Sequence, residues 1–570
     1  VEKLRFRSAP TITDYTVPFA LNERALGDWL HGLGMAQNYN SAKEVFCALQ
    51  AFARMEKSPQ QHLSLLRKMS AYLDELVEQL EKNYLDASFP LELEEQAHVD
   101  IVAFAYMALA ENYALIGRQL LAQADSSLDK ALCLFLALDA AGKALLHISQ
   151  VYRQPFEGFW LFCHQIYALA EENDVLKVEF DSGEFQGKTI DAAFKQVLMF
   201  ELADSSQFRP RELKAIYDFL KNFSAQAKIV HQHAQDSNAG LRIFNLNQDQ
   251  PPKPLTVQQP SEAPGDRYIS PVHAAKNLYQ FLQEDASFLG ATKAINRVLF
   301  TRVAKSLGMT QKRRHTRLVE HRAGIGLLGF NNIVSYLYKK DFAEHHQQMQ
   351  APKRDTRIAG HWEAPNLDLV PEGSEWMHQM EEHYRGQSQD DSPVNRILKL
   401  SRELTKDPRV WKTLEIEKNK LVDDIPTGEF EIIDSSAHGL QVLWKATDLK
   451  VKVGNIFAMP SVKGDRLEIG LIRRIGMSTQ QAVLLGVEII GFESELICLT
   501  RPGQKDLNCW GIFVPGIQAL KQADSVVFNS SDYSPGEFIT LLRGQKEVDC
   551  RLHKLINATA SVSHVELLYP

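Results

Sequence analysis

Two short clusters in this 570-residue chain have residue types and spacings that could do chemistry. In Lys312-Arg313-Arg314-His315-Thr316-Arg317, Arg313 and Arg317 stand in an R-x-x-x-R spacing with Arg314 between them. In the run IIDSSAHGL, Asp434, Ser436 and Gly439 stand in a D-x-S-x-x-G spacing between two strand-like runs. A guanidinium is a planar, permanently charged fork that matches phosphate oxygens or paired acceptors on a nucleobase. A carboxylate accepts from N–H groups, and a hydroxyl can both donate and accept. Glycine permits a positive-φ turn and lets a ligand come close to the backbone. Such groups bind and orient. Activated nucleophiles are missing from the sequence, which has no G-x-S-x-G, no Walker-type loop and no dinucleotide-binding glycine fingerprint after a strand. The chain is read as a non-enzyme.

Bland alternatives exist for both clusters. Three arginines could form a solvated face closing a helix, where cations are favoured. Asp and Ser are also ordinary turn formers. A D-x-S-x-x-G match arises by chance only about 0.1–0.2 times in a chain of this length, so context decides. The arginines end a basic island, residues 293 to 317, holding eight Lys or Arg and no acidic residue. The whole chain is acidic, with 63 basic against 71 acidic residues and a net charge of −8. That balance, and the lack of interleaved aromatics, argues against DNA or RNA as partner.

The elements that must position these residues follow from periodicity. Residues 1–235 are expected to form an all-α domain. Its segments VDIVAFAYMALAENYALIGRQLLAQ and DKALCLFLALDAAGKALLHISQVY are apolar over most of their surface, and Ser58-Pro59 marks a helix stop and start. Faint tetratricopeptide-like echoes leave a repeat-like solenoid open. Residues 236–271, rich in Pro and Gln, read as a linker, and 272–312 as a helical connector. Residues 313–338 open a β region that resumes at 425–497, around a partly flexible insertion at 339–424. Residues 498–570 read as a β extension or a second small β unit. The fold class is therefore α+β and multidomain, with a helical half followed by a small β-barrel and further C-terminal β structure. The longest uninterrupted apolar run, Ile101 to Ala110, is half the roughly twenty residues a membrane span needs, so no span is expected. Six cysteines without C-x-x-C spacing read as free thiols of a reducing, cytoplasmic compartment. His345, His346, His361 and His383 lack the carboxylate or thiol spacing of a metal site.

With the two clusters in this order, and with GLIRRIGM followed by LLGVEIIGF downstream, the chain resembles the PilZ family of bacterial cyclic di-GMP receptor domains. The resemblance spans about 312–338 and 428–493. It implies a six-stranded barrel with cyclic di-GMP held by Arg313, Arg314, Arg317, Asp434, Ser436 and Gly439, and no cofactor. Arg474 and Trp444 are further candidates, although Trp444 suits barrel packing better than base stacking. By strand alternation Arg473 and Arg474 point to opposite faces. The GGDEF, EAL and HD-GYP signatures of enzymes that make or degrade cyclic di-GMP are absent. The chemistry agrees with the resemblance: arginine forks read guanine O6/N7 and phosphates, and a carboxylate takes the other guanine edge. The two motifs lie 117 positions apart, against a few tens of residues in the family, so the insertion must loop out. The implied function is a cytoplasmic effector in which ligand closes the arginine leader onto the barrel. The helical half would meet a protein partner across the 245–271 linker, and an oligomer is open. The alternative is a ligand-blind scaffold with a degenerate barrel.

Overall fold

A computed structural model describes residues 16–570 except 35–37, 56–57, 86, 123–126, 181–184, 232–239, 256–262, 285–292, 309–317, 345–424, 437–438, 446–448, 462–465, 478–481, 503, 517–521, 531, 544–545 and 560–561. The chain divides into two compact units, Val1–Arg313 and Arg314–Pro570.

The first unit contains α1 (Glu23–Gly32), α2 (Asn38–Phe52), α3 (Pro59–Leu80), α4 (Leu93–Leu121), α5 (Ser127–Gln150), α6 (Phe159–Glu172), α7 (Ile190–Leu202) and α8 (Pro210–Leu220). Strands β1 (Lys228–Val230), β2 (Arg242–Asn245), β3 (Lys253–Pro254) and β4 (Asp266–Ser270) follow, then α9 (Val272–Glu284) and α10 (Lys293–Gly308). Ser58 caps α3 with Pro59 in its first turn, as the sequence indicated. By length and composition α4 and α5 could each cross a membrane, which the uninterrupted-run criterion had missed. Most of both segments is buried inside the unit, 78% and 83% of their most apolar stretches.

The expectation of a linker at 236–271 does not hold. Strands β1, β4, β2 and β3 form a four-stranded sheet in that order. Phe244, Leu246, Tyr268 and Ile269 are buried, and Asn245 donates to Asp266 at 2.7 Å. The Asp249 carboxylate accepts from the backbone N–H groups of Gly158, Trp160 and Leu161, capping α6. Arg267 pairs with Glu171 at the other end of that helix. A segment poor in apolar residues is thus held by hydrogen bonds, which composition does not register.

The second unit comprises β5 (Leu318–Leu328), α11 (Phe330–Glu344), β6 (Thr427–Ser436), β7 (Gly439–Trp444), β8 (Ile456–Pro460), β9 (Leu467–Met477), β10 (Val483–Arg501), β11 (Gln504–Val514), β12 (Ser525–Asn529), β13 (Phe538–Arg543), β14 (Lys546–Ala558) and β15 (Val562–Leu568). Two barrels share one strand. β10, β7, β6, β5, β8 and β9 are neighbours in that order, and a β10–β9 pairing closes the ring. β11, β12, β15, β14, β13 and β10 close a second ring through a β11–β10 pairing. The 19-residue β10 serves the first barrel with its N-terminal half and the second with its C-terminal half. Residues 329–338, expected as part of the barrel, instead begin a helix. Gly329 takes φ 87°, which ends β5, and Phe330, Ile333, Val334 and Leu337 recur at helical spacing and are buried.

Burial sets several charge states in the first unit. His147 stacks on Tyr106, with Nδ1 2.8 Å from the Tyr84 hydroxyl, and desolvation pushes its pKa down to about 3. Desolvation pushes His164 down to about 4. Glu201 moves the other way, to about 7, through desolvation and the nearby Asp204, and so offsets one histidine between about pH 4.5 and 6.5. Unfolding of the first unit takes up one extra net proton in that window, so its stability is present above about pH 6.5 and falls as pH drops towards 4.5. Replacing His147 by Gln is expected to reduce that fall by up to about 1.4 kcal/mol per pH unit. Denaturant unfolding between pH 7 and 4.5 measures it; a slope equal to the parent's contradicts a neutral buried His147.

Candidate ligand-binding site

The D-x-S-x-x-G residues sit at the hairpin joining β6 to β7. Ser436 faces Gly439 in register, and its hydroxyl donates to the Gly439 carbonyl at 3.2 Å. Gly439 does not adopt positive φ. Its requirement is space, because a Cβ there would lie 3.2 Å from the Val487 carbonyl oxygen of β10. Asp434 is half-buried, and its register partner on β7 is Gln441. The register slips between Ile432 and Asp434, a bulge of the kind that re-aims side chains beside functional sites.

The other neighbour of β6 is β5, where Leu318 opposes Ser435 and Val319 opposes Asp434. Arg313, Arg314 and Arg317 lie outside the described residues. Arg317 is nonetheless the covalent neighbour of Leu318, about 3.8 Å away Cα to Cα. The β5–β6 pairing therefore returns the chain to the end of the arginine motif after 345–424, which is also outside the described residues. Much of the rest of the basic island has structural work. Arg302 donates to the Gln207 carbonyl at 2.6 Å and covers the Phe208 ring, and Arg297 donates to Gln283.

Asp434 belongs to a row that crosses five strands. Val319 opposes Asp434, Asp434 opposes Gln441, Gln441 opposes Gly486, and Gly486 opposes Arg474. Directly opposed residues share a sheet face, so Arg474 of β9 stands on the same face as Asp434. A second slip, between Gly486 and Val487, pairs Val487 with Ile472 and leaves Arg473 as the extra residue. Plain alternation is therefore interrupted at Arg473, and its side chain makes different contacts. It pairs with Glu488 at 2.5 Å and donates to Asn557 of β14 at 2.5 Å. Glu488 in turn opposes Gly439. Neither contact was legible beforehand, because register and bulges have no local sequence signal.

Trp444 is not at the site. It is 1% exposed, opposes Phe430 and meets Phe457 edge-on at 6.1 Å between centroids. Five residues along β7 separate it from Gly439, about 17 Å at strand rise. Among the described residues no group of three or more His, Cys, Asp or Glu could hold a metal ion, and the cysteines are free thiols.

Three family models match the chain in succession. Residues 24–234 match the N-terminal domain of the cyclic-di-GMP receptor FimW, 241–495 its middle PilZ domain and 497–569 its C-terminal beta-barrel domain. Residues 241–495 carry a PilZ domain. The PilZ match includes both motifs and ends within β10 at Glu495, the first residue of that strand to pair with β11. The cyclic-di-GMP receptor FimW of Pseudomonas aeruginosa is 19% identical over 575 residues, covering 98% of this chain and 92% of that protein. No solved structure matches.

As a core residue, Trp444 has a testable cost. Trp444→Ala is expected to destabilise the second unit by about 3–5 kcal/mol, measured by denaturant unfolding. A change below about 1 kcal/mol contradicts the packing role.

Proposed function

We propose that the chain is a non-catalytic cyclic di-GMP effector, with the first barrel of the second unit as the sensor. The observation that carries this reading is the β5–β6 register, which sets the residue after Arg317 opposite Ser435, between Asp434 and Ser436. The PilZ match over 241–495 and the likeness to a protein named as a cyclic-di-GMP receptor support it. In this reading Arg313 and Arg317, with Arg314 between them, take phosphates and a guanine O6/N7 edge. Asp434 accepts from the other guanine edge, Ser436 lines the hairpin, and Gly439 keeps the backbone open beside β10.

The division between units falls at Arg313/Arg314, within the arginine motif. Ligand that binds this motif therefore acts on the segment joining the two units. This replaces the 245–271 hinge, since that stretch is part of the first unit's own fold. The helical unit is then the output surface for a protein partner. Coupling requires tighter ligand binding in one arrangement of the units, because equal affinity shifts nothing.

The competing reading is a ligand-blind scaffold. It draws on the Ser436 hydroxyl, which already closes its own hairpin. Calorimetry with cyclic di-GMP separates the two. The parent is expected to bind, and Asp434→Ala and the Arg313→Ala/Arg317→Ala pair to lose about ten-fold or more each, as expected for removed base and phosphate contacts. Unchanged affinity in both variants refutes the site, and no binding by the parent refutes the receptor.

A further inference from the structure

The sheet face that carries Asp434 continues past the hairpin. With strands about 4.8 Å apart, the Cα atoms of Asp434 and Arg474 are about 14 Å apart, with Gln441 and Gly486 between them. Gly486 is half-buried and has no side chain to raise above the strand. A Cβ built on it would lie 3.1, 3.5 and 3.6 Å from Cβ, Cγ and Cδ of Arg474. Three successive carbons of the arginine stem thus lie alongside this one glycine. β10 is the strand between Arg474 and Gln441, and Arg474 itself remains exposed.

We propose that this row is an unassigned part of the binding surface: Gln441 and Arg474 hold a purine base on the side away from Asp434, and Gly486 is the positioning residue that lets Arg474 lie there. The inference rests on the cyclic di-GMP reading and extends that site across two more strands. A base lying over Gln441, between Asp434 and the end of the Arg474 side chain, meets the Asp434 carboxylate with its N1–H and amino group, and the Arg474 fork with O6 and N7. The Gln441 amide, between them, offers one donor and one acceptor group to the base edge. Adenine presents an amino group where guanine has O6, so it offers the fork only one acceptor. The row therefore selects guanine over adenine.

The test is calorimetry on the full chain with cyclic di-GMP and cyclic di-AMP. Arg474→Ala is expected to weaken cyclic di-GMP by about ten-fold and narrow the guanine-over-adenine ratio by a similar factor. Gly486→Val, which forces the stem aside, is expected to do the same. In the Arg474→Ala background it is expected to cost nothing more, since two residues acting through one contact are not additive. Gln441→Leu should weaken cyclic di-GMP while leaving unfolding unchanged. Gly486→Ala replaces the valine variant if that one fails to fold. Additive losses in the double variant overturn the positioning role. Parent-like affinity and selectivity in Arg474→Ala and Gln441→Leu, with the Arg313→Ala/Arg317→Ala pair still weakening binding about ten-fold or more, overturn the inference and leave the receptor reading intact. No binding by the parent overturns both.

Discussion

Antiparallel pairing between β5 and β6 is the interaction on which the proposed site depends, because 117 positions of sequence separate Arg317 from Asp434. Loop-closure entropy grows only logarithmically with length, so doubling a flexible connection costs about 0.6 kcal/mol. The ladder from Leu318↔Ser435 to Leu327↔Thr427 brings the strands back into register across that distance. Its interior face is held by Phe430 and Ile432, both buried, and by Gly324 and Gly326, which let the Phe430 ring lie against β5.

Strand β10 gives the second unit its continuity. Its first half opposes Gln441 and Arg474, and its second half belongs to the C-terminal barrel. Its register with β9 slips after Gly486, Ile489 and Gly491. The chain Gly439–Glu488–Arg473–Asn557 runs from the hairpin into β14 through a register pair, an ion pair and a hydrogen bond. The two barrels are therefore joined both through a strand and through side chains. His564, buried beside Ser525, and opposite Asn557, belongs to the same junction. Desolvation and the positive charge of Arg473 hold it near pKa 4.

Much of this was legible in the sequence where periodicity or chemistry is local. The alternation in GLQVLW matches the burial of β7, the all-round apolar α4 is a core helix, and the two motifs marked the hairpin and the start of β5. What failed depends on tertiary partners. The polar stretch around Asp249 docks because a helix N-terminus awaits a carboxylate, and no window of composition shows that. Phe330 to Leu337 follow an apolar strand, and only Gly329 at positive φ separates the strand from the helix. The bulge at Arg473, which interrupts the alternation of β9, has no sequence signal. Gly439 is required for clearance from Val487, a neighbour 48 positions away, and not for its own dihedral angle.

The central claim is that β5 returns the end of the arginine motif to the D-x-S-x-x-G hairpin. Opposed residues of an antiparallel pair have Cα atoms about 4.5–5.5 Å apart, within the range a disulfide spans. The most direct measurement is peptide mass spectrometry of the Leu318→Cys/Ser435→Cys variant after mild oxidation. A 318–435 cross-link forming in high yield in the folded chain is the expected result. Two thiols that remain reactive and unlinked would contradict the account.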